Sequence, residues 1–178
     1  GISVLSTNYT NALKIAEAAK KVNAKVILGN DHANQMARLI MEKRPEIDYI
    51  YAGDIGEYGM QAFAKAQQTG DLSQVPKLVW RDGSTVIENR GTEIMSSTNR
   101  WNALDNIPLT NRLLYPKTVW ENATNNYNQV YGKWHTEPVQ GVAILDRFRG
   151  CSRVKNPCMY CDIEDLSPRF TDPTLFWK

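Results

Sequence analysis

All three cysteines of the chain lie within one stretch of eleven residues: Cys151, Cys158 and Cys161, with six residues between the first two and two between the last two. Three thiolates on one short loop can fill three corners of a tetrahedral site and leave the fourth open. That arrangement suits an iron–sulfur cluster that keeps one iron for a substrate or cofactor. A zinc site completed by His135 or Asp162 is an alternative, since zinc takes four such ligands, although zinc knuckles pair two short spacings and only one is present. Unligated redox thiols are a third reading. A disulfide framework wants an even cysteine count and a secreted context, and neither is evident. Tyr160 stands directly before the last cysteine. Upstream, Val142-Ala143-Ile144-Leu145 reads as a short buried strand, which puts the cysteines on the loop leaving its C-terminal end.

The first half of the chain alternates apolar runs with helical periodicity. Ile2–Leu5 is a first strand, capped by Ser6-Thr7-Asn8. A helix follows in which Ala12, Ile15, Ala16, Ala19 and Val22 recur on one stripe. Lys25–Leu28 is a second strand, ending at Gly29. Asn30 or Asp31 caps a helix with a buried stripe of Ala33, Met36, Ala37, Ile40 and Met41, which Pro45 closes. Ile47–Ala52 is a third strand, and a third helix runs to about Gln68. Such alternation predicts a parallel sheet with right-handed crossovers. Ligands gather in such sheets on the loops leaving the strands, here Ser6–Asn8, Gly29–His32 and Gly53–Gly56. Taken singly, each of these residues reads as an ordinary turn or cap residue.

Leu78–Ile87 holds two short β runs joined through Asp82-Gly83, the pattern of a type I′ hairpin that would extend or cap the sheet edge. Residues 88–101 are polar and unperiodic. Lys117–Tyr131 is weakly helical, being rich in asparagine. Trp120, Tyr127, Tyr131 and Trp134 read as packing residues rather than as a base-stacking platform, because no basic groove accompanies them. A hydrophobic content of 42% with 22% charged residues is ordinary for a globular chain, and a net charge of +2 gives no pull towards nucleic acid. No apolar run approaches the ~20 residues needed to cross a bilayer. The opening Gly1-Ile2-Ser3-Val4-Leu5 lacks the basic region of a signal peptide and reads as a strand already under way. The final Pro173–Lys178 stops where a helix would start. Both ends suggest a segment of a longer protein.

The cysteine loop resembles that of radical S-adenosylmethionine enzymes, whose common motif spaces three cysteines by three and then two residues, with an aromatic before the last. Cys158-Met159-Tyr160-Cys161 matches the second half, and the first gap is six rather than three. The N-terminal half resembles the latter part of a cobalamin-binding domain. Ser3-Val4-Leu5 matches its Ser-x-Leu element, and Gly29-Asn30 falls where a Gly-Gly pair belongs, with Asn30 in place of the second glycine. Gly29-Asn30-Asp31-His32-Ala33 is similar to the Gly-Gly-x-His-Ala segment of cobalamin-dependent radical S-adenosylmethionine enzymes. Gly53-Asp54-Ile55-Gly56-Glu57 is similar to their Gly-Glu-Gly-Glu turn, with two departures. Leu104–Leu109, on through Tyr115-Pro116, resembles their interdomain linker.

The resemblance implies an α/β chain in three parts: a partial Rossmann-like cobalamin-binding domain over 1–90, a linker over 91–137, and the start of a radical S-adenosylmethionine (β/α) barrel over 138–178. It implies that Cys151, Cys158 and Cys161 hold a [4Fe–4S] cluster, with Tyr160 near the adenine of S-adenosylmethionine. Ser3, Leu5, Ser6, Thr7, Gly29, Asn30, Gly53 and Gly56 would line the cobalamin, small residues leaving room for its nucleotide tail. His32 belongs to the motif's third loop, whereas the family's cobalt ligand sits on its first, so His32 is expected to order the loop. The implied activity is that of a radical enzyme, a methyltransferase being one form it takes, which the segment alone would not perform. Its partners would be a small-molecule or peptide substrate and an electron donor such as flavodoxin or ferredoxin, with no membrane or nucleic acid. A thiolate-bound cluster needs a reducing compartment, so cytoplasm is expected. Two further readings stand beside this one: a radical enzyme whose Rossmann-like unit binds no cobalamin, and a non-catalytic module with a structural zinc loop.

Overall fold

The computed structural model describes residues 1–53, 55–91, 116–141, 148–149, 151, 155–156, 158–159 and 169–170. Five strands form one sheet in the order β1 (Ile2–Ser3), β2 (Ile27–Gly29), β3 (Tyr49–Tyr51), β4 (Leu78–Asp82) and β5 (Thr85–Glu88). The first three pair in parallel, and β4 and β5 add antiparallel, so the sheet is mixed rather than wholly parallel. Between them run α1 (Tyr9–Lys21), α2 (Asp31–Gln35), α3 (Ala37–Lys43) and α4 (Gly56–Thr69). This is the α/β, Rossmann-like organisation expected over residues 1–90.

Strand alternation divides the core between the two sheet faces. Leu28, Ile50 and Val79 pack against Ala12, Leu13 and Ala16 of α1, Ala33 of α2, and Ala37, Ile40 and Met41 of α3. On the other face, Ile27, Tyr49, Leu78 and Trp80 meet Ala62, Phe63 and Ala66 of α4. Each large side chain so buried contributes about 1.5–3 kcal/mol. Helix α4 comes close enough that Gly59 lies flat on the Tyr51 ring: a Cβ there would fall 2.0 Å from a ring carbon. Gly70, at φ +78°, ends the helix in the left-handed conformation.

Several expected details change. On α1 the buried residues are Ala12, Leu13 and Ala16, whereas Ile15 and Val22 are 56% and 76% exposed. Val22 lies beyond the last turn, and Leu13 takes the place on the sheet that Ile15 was expected to fill. The single helix expected after Asn30 is two, broken at Met36, which is 37% exposed rather than buried. Asp31, His32 and Asn34 are weak helix formers, so one short turn forms before the chain resets. The hairpin forms, but Asp82 pairs with Thr85, leaving Gly83-Ser84 as the turn. Of these two only Gly83 has positive φ, at +58°, which is the II′ pattern rather than I′.

Two polar side chains hold the helices to the sheet. Arg81 of β4 donates to Met41 O, Arg44 O and Ile47 O, the last at 2.6 Å, and so satisfies the carbonyls at the end of α3. Asp48 accepts from the Val26 N–H at 2.8 Å and from Lys20 Nζ at 2.8 Å, anchoring the entry to β2. Burial pushes its carboxyl up, but the bonds from Lys20, Val26 and Lys25 together outweigh this and hold it below the usual range.

Within the span expected as linker, Lys117–Tyr131 forms α5 despite its asparagines. Aromatic rings at its end and in the turn that follows lie against one another, tilted: Tyr127 with Tyr131 at 5.1 Å, and Tyr131 with Trp134 at 5.4 Å. The expected linker motif at 104–109 and the strand at 142–145 lie outside the described residues. Two further short strands, β6 (Phe148–Arg149) and β7 (Arg169–Phe170), pair antiparallel on either side of the cysteine stretch. No barrel strand pairing occurs among the described residues. None of the described helices is long and apolar enough to cross a membrane.

Candidate functional site

Because β1, β2 and β3 run the same way, their C-terminal ends share one edge of the sheet, where Ser3 stands in register with Gly29. Leu5, Ser6 and Thr7 follow on the first loop and are exposed; Gly29 and exposed Asn30 make the second; half-buried Gly53 and Gly56 flank the third. The fold thus brings all eight residues expected at a cobalamin site to a single edge. Their polar groups are tied together before any ligand arrives. Val4 N donates to Gly29 O at 2.8 Å and His32 N to Val4 O at 3.3 Å. Asn8 closes the first loop, accepting from Leu5 N at 2.9 Å and donating to Ser3 O at 3.3 Å.

Asn30 is the unusual residue. Its φ of +78° and ψ of 171° lie in a region that is essentially glycine's alone. An L side chain there costs about 1–3 kcal/mol. Two hydrogen bonds offset this strain: Asn30 Oδ1 accepts from Asp31 N at 2.8 Å, capping α2, and Nδ2 donates to Ser3 Oγ at 2.9 Å. The backbone therefore has the shape expected of a second glycine, while the side chain is an amide that links two strand ends.

His32 orders the edge. Its Nδ1 lies 3.1 Å from Ser6 Oγ, and its ring stacks on Tyr9 at 4.6 Å, joining the first and second loops. Asn34, which no sequence pattern singled out, joins the second to the third. With its amide turned to donate, it reaches Asn30 O at 3.1 Å and Tyr51 O at 2.9 Å. This orientation makes two good bonds in place of one 3.4 Å contact with Gly53 O. Tyr51 Oη in turn donates to Ile55 O at 3.2 Å, holding the approach to Gly56.

The glycines allow a test of fit. A Cβ on Gly56 would meet no atom within 4 Å, and one on Gly29 only Tyr51 O at 3.7 Å. Neither glycine is demanded by contact within the protein, so both leave open room at the edge. That suits a bulky ligand lying across them.

Cys151 and Cys158 are both half-buried, in the stretch that the β6–β7 pairing closes at its base. Cys161 and Tyr160 lie outside the described residues, and the geometry of a three-thiolate site lies with them. His135, considered above as a zinc ligand, places Nε2 3.2 Å from Tyr127 Oη and stacks on that ring.

No family model, curated protein or solved structure matches the chain.

Proposed function

We propose that the chain is part of a cobalamin-dependent radical S-adenosylmethionine enzyme. The reading rests on the cysteine loop, Cys151, Cys158 and Cys161 with Tyr160 before the last. It is supported by a sheet edge whose second loop adopts a glycine-only backbone at Asn30. With both cofactors bound, a cluster held by Cys151, Cys158 and Cys161 would supply the electron for reductive cleavage of S-adenosylmethionine, drawn from a flavodoxin- or ferredoxin-like donor, and cobalamin would supply a methyl group for transfer.

The chain's own residues hold and orient. The three thiolates would ligate three irons and leave the fourth open, with Tyr160 beside the adenine, on a loop that begins a (β/α) barrel. Gly29, Gly53 and Gly56 leave room for the cobalamin tail. Ser3, Ser6 and Thr7 offer hydroxyls, Asn30 an amide, and Leu5, 42% exposed, an apolar contact. His32 keeps the first two loops together.

The Asn30–Ser3 hydrogen bond favours a second reading. It ties the ends of β2 and β1 together across the two loops that the resemblance assigns to cobalamin. A radical enzyme whose Rossmann-like unit carries no cobalamin fits that bond.

Anaerobic reconstitution with iron and sulfide tests the main reading. The expected result is about four irons per chain and an electron paramagnetic resonance spectrum that shifts on adding S-adenosylmethionine. Stoichiometric zinc without iron or sulfide would refute it in favour of a structural module. Titration with hydroxocobalamin separates the two radical-enzyme readings.

A further inference from the structure

We infer that the Asn8 side chain is a guard that closes the outer edge of β1 against pairing with a second copy of this chain. No cluster, S-adenosylmethionine or cobalamin takes part, so the inference goes beyond the cofactor reading. β1 is one of the two outer strands of the sheet. An outer strand offers its N–H and C=O groups to any other strand, and proteins blunt such edges with charges, bulges or covering groups. The stretch Gly1-Ile2-Ser3-Val4-Leu5 carries no charged side chain, so its protection has to come from elsewhere in the chain.

The direction of each backbone group follows from strand alternation. Val4 N donates to Gly29 O and Val4 O accepts from His32 N, so the backbone groups of Val4 face β2 and the loop that leaves it. The C=O of Ser3 and the N–H of Leu5 therefore face outwards. Asn8 meets both from that side: Nδ2 donates to Ser3 O at 3.3 Å, and Oδ1 accepts from Leu5 N at 2.9 Å. In a parallel sheet, a residue opposite Val4 on a further strand would make the same pair of bonds with its own N–H and C=O. The side-chain amide stands in for that residue.

The occupant so excluded is a second copy related by a two-fold axis, the commonest symmetry of soluble oligomers, in which each contact is made twice. With the axis at Ser3, the two edges would run antiparallel. Ser3 N would then reach the partner's Ser3 O, and Leu5 N the partner's Gly1 O. Each of these bonds uses either Ser3 O or Leu5 N, the groups that Asn8 holds. The amide serves this edge rather than its own helix. Asn8 is the N-cap of α1, where asparagine ordinarily accepts from the first helical N–H groups, yet it makes no side-chain cap bond.

The test is sedimentation velocity of the full chain over a range of concentrations, with amide hydrogen exchange read at Ser3 and Leu5. The parent should keep one mass throughout, with the Leu5 N–H slowed at every concentration. Asn8→Ala opens both groups and should double in mass as concentration rises. In dilute solution its Leu5 N–H should exchange about tenfold faster than the parent's, and it should regain protection as the copies pair. Asn8→Ser, whose hydroxyl suits the helix N-cap but is too short to span both groups, should behave like the alanine variant. Asn8→Asp keeps the acceptor for Leu5 and sets a charge on the edge, so it should stay at the parent mass. Circular dichroism checks that each variant is folded. An unchanged mass in whichever of the alanine and serine variants is folded would overturn the proposal. So would association of the parent or of Asn8→Asp through residues 1–5, or association of the alanine variant without protection at Ser3 and Leu5.

Discussion

Replacing Asn30 tests both the strain at the sheet edge and the reason for its sequence. At φ +78° and ψ 171° both asparagine and alanine pay about 1–3 kcal/mol that glycine does not. Asn30→Ala keeps that cost and loses the α2 cap, about 1 kcal/mol. It also loses the bond to Ser3 Oγ, about 0.5–1.5 kcal/mol. Alanine should therefore be about 2 kcal/mol less stable than the parent. Asn30→Gly also loses the Ser3 bond, gives up a few tenths in capping, and adds about 0.4–1 kcal/mol of unfolded-chain entropy. It regains the strain, and so should fall within about 1 kcal/mol of the parent. For a chain of this size, glycine should unfold about 4–8 °C above alanine. Thermal unfolding by circular dichroism reads the order directly. An alanine variant as stable as the glycine one would refute the strained assignment. If cobalamin threads the edge, the glycine variant should also bind hydroxocobalamin more tightly, because the amide crossing to Ser3 is gone.

The other predictions test separate parts of the structure. Gly59→Ala should destabilise by about 3 kcal/mol, despite alanine's better helix propensity, because its Cβ would fall 2.0 Å from the Tyr51 ring. In a urea double-mutant cycle, Tyr51→Ala should recover much of that loss, and strict additivity would refute the contact. Asp48→Asn should cost about 1–3 kcal/mol at pH 7. Because the folded carboxyl titrates below its unfolded value, its contribution is complete above about pH 4 and is lost as pH falls through the folded value. The gap between parent and variant urea midpoints should thus narrow in acid, and a gap constant from pH 7 to the acid limit would refute the anchoring role. Cys158→Ala should abolish the S-adenosylmethionine-dependent spectral shift, whereas His32→Ala should keep the cluster and only weaken cobalamin binding. Full cobalamin affinity with altered axial ligation in the His32 variant would refute its role as a loop-ordering residue.

The sheet was legible because each of its strands is a short apolar run next to a turn signal or a helical repeat. The helix stripes were less so. Ala12, Leu13, Ile15, Ala16 and Ala19 form two overlapping stripes, and periodicity alone does not say which one the sheet covers. Only the placement of Leu13 against it does. The hairpin shows the same limit on a smaller scale. Asp82-Gly83 marks the turn, but the register that pairs Asp82 with Thr85 puts glycine at the first central position and so selects the turn type. Arg81 was not legible at all, since its three carbonyl partners lie 34 to 40 residues away. By contrast, the edge residues were found through glycine-based motif matches, because strand ends are where backbone shape constrains residue type most tightly.

Asparagine side chains unify that edge. Asn8 closes the loop after β1, Asn30 joins β2 to β1, Asn34 ties the second loop to β3, and Asn89 braces the end of β5 against the turn before β4. Each amide bonds backbone or side-chain groups outside the strand-to-strand ladder, so the protein's own side chains order the edge. The ordering entropy is spent on folding rather than on binding, and a ligand at that edge would meet groups already in place. At Asn30 this has a cost, since the residue that braces the edge also occupies part of it. At Asn89 it has none, because its amide reaches back to Leu72 O and Val75 O and does not cross the edge. The two should respond differently to asparagine removal: Asn89→Ala should cost about 1–3 kcal/mol of stability and leave hydroxocobalamin binding unchanged, whereas Asn30→Gly should change that binding with little loss of stability if cobalamin lies across the edge.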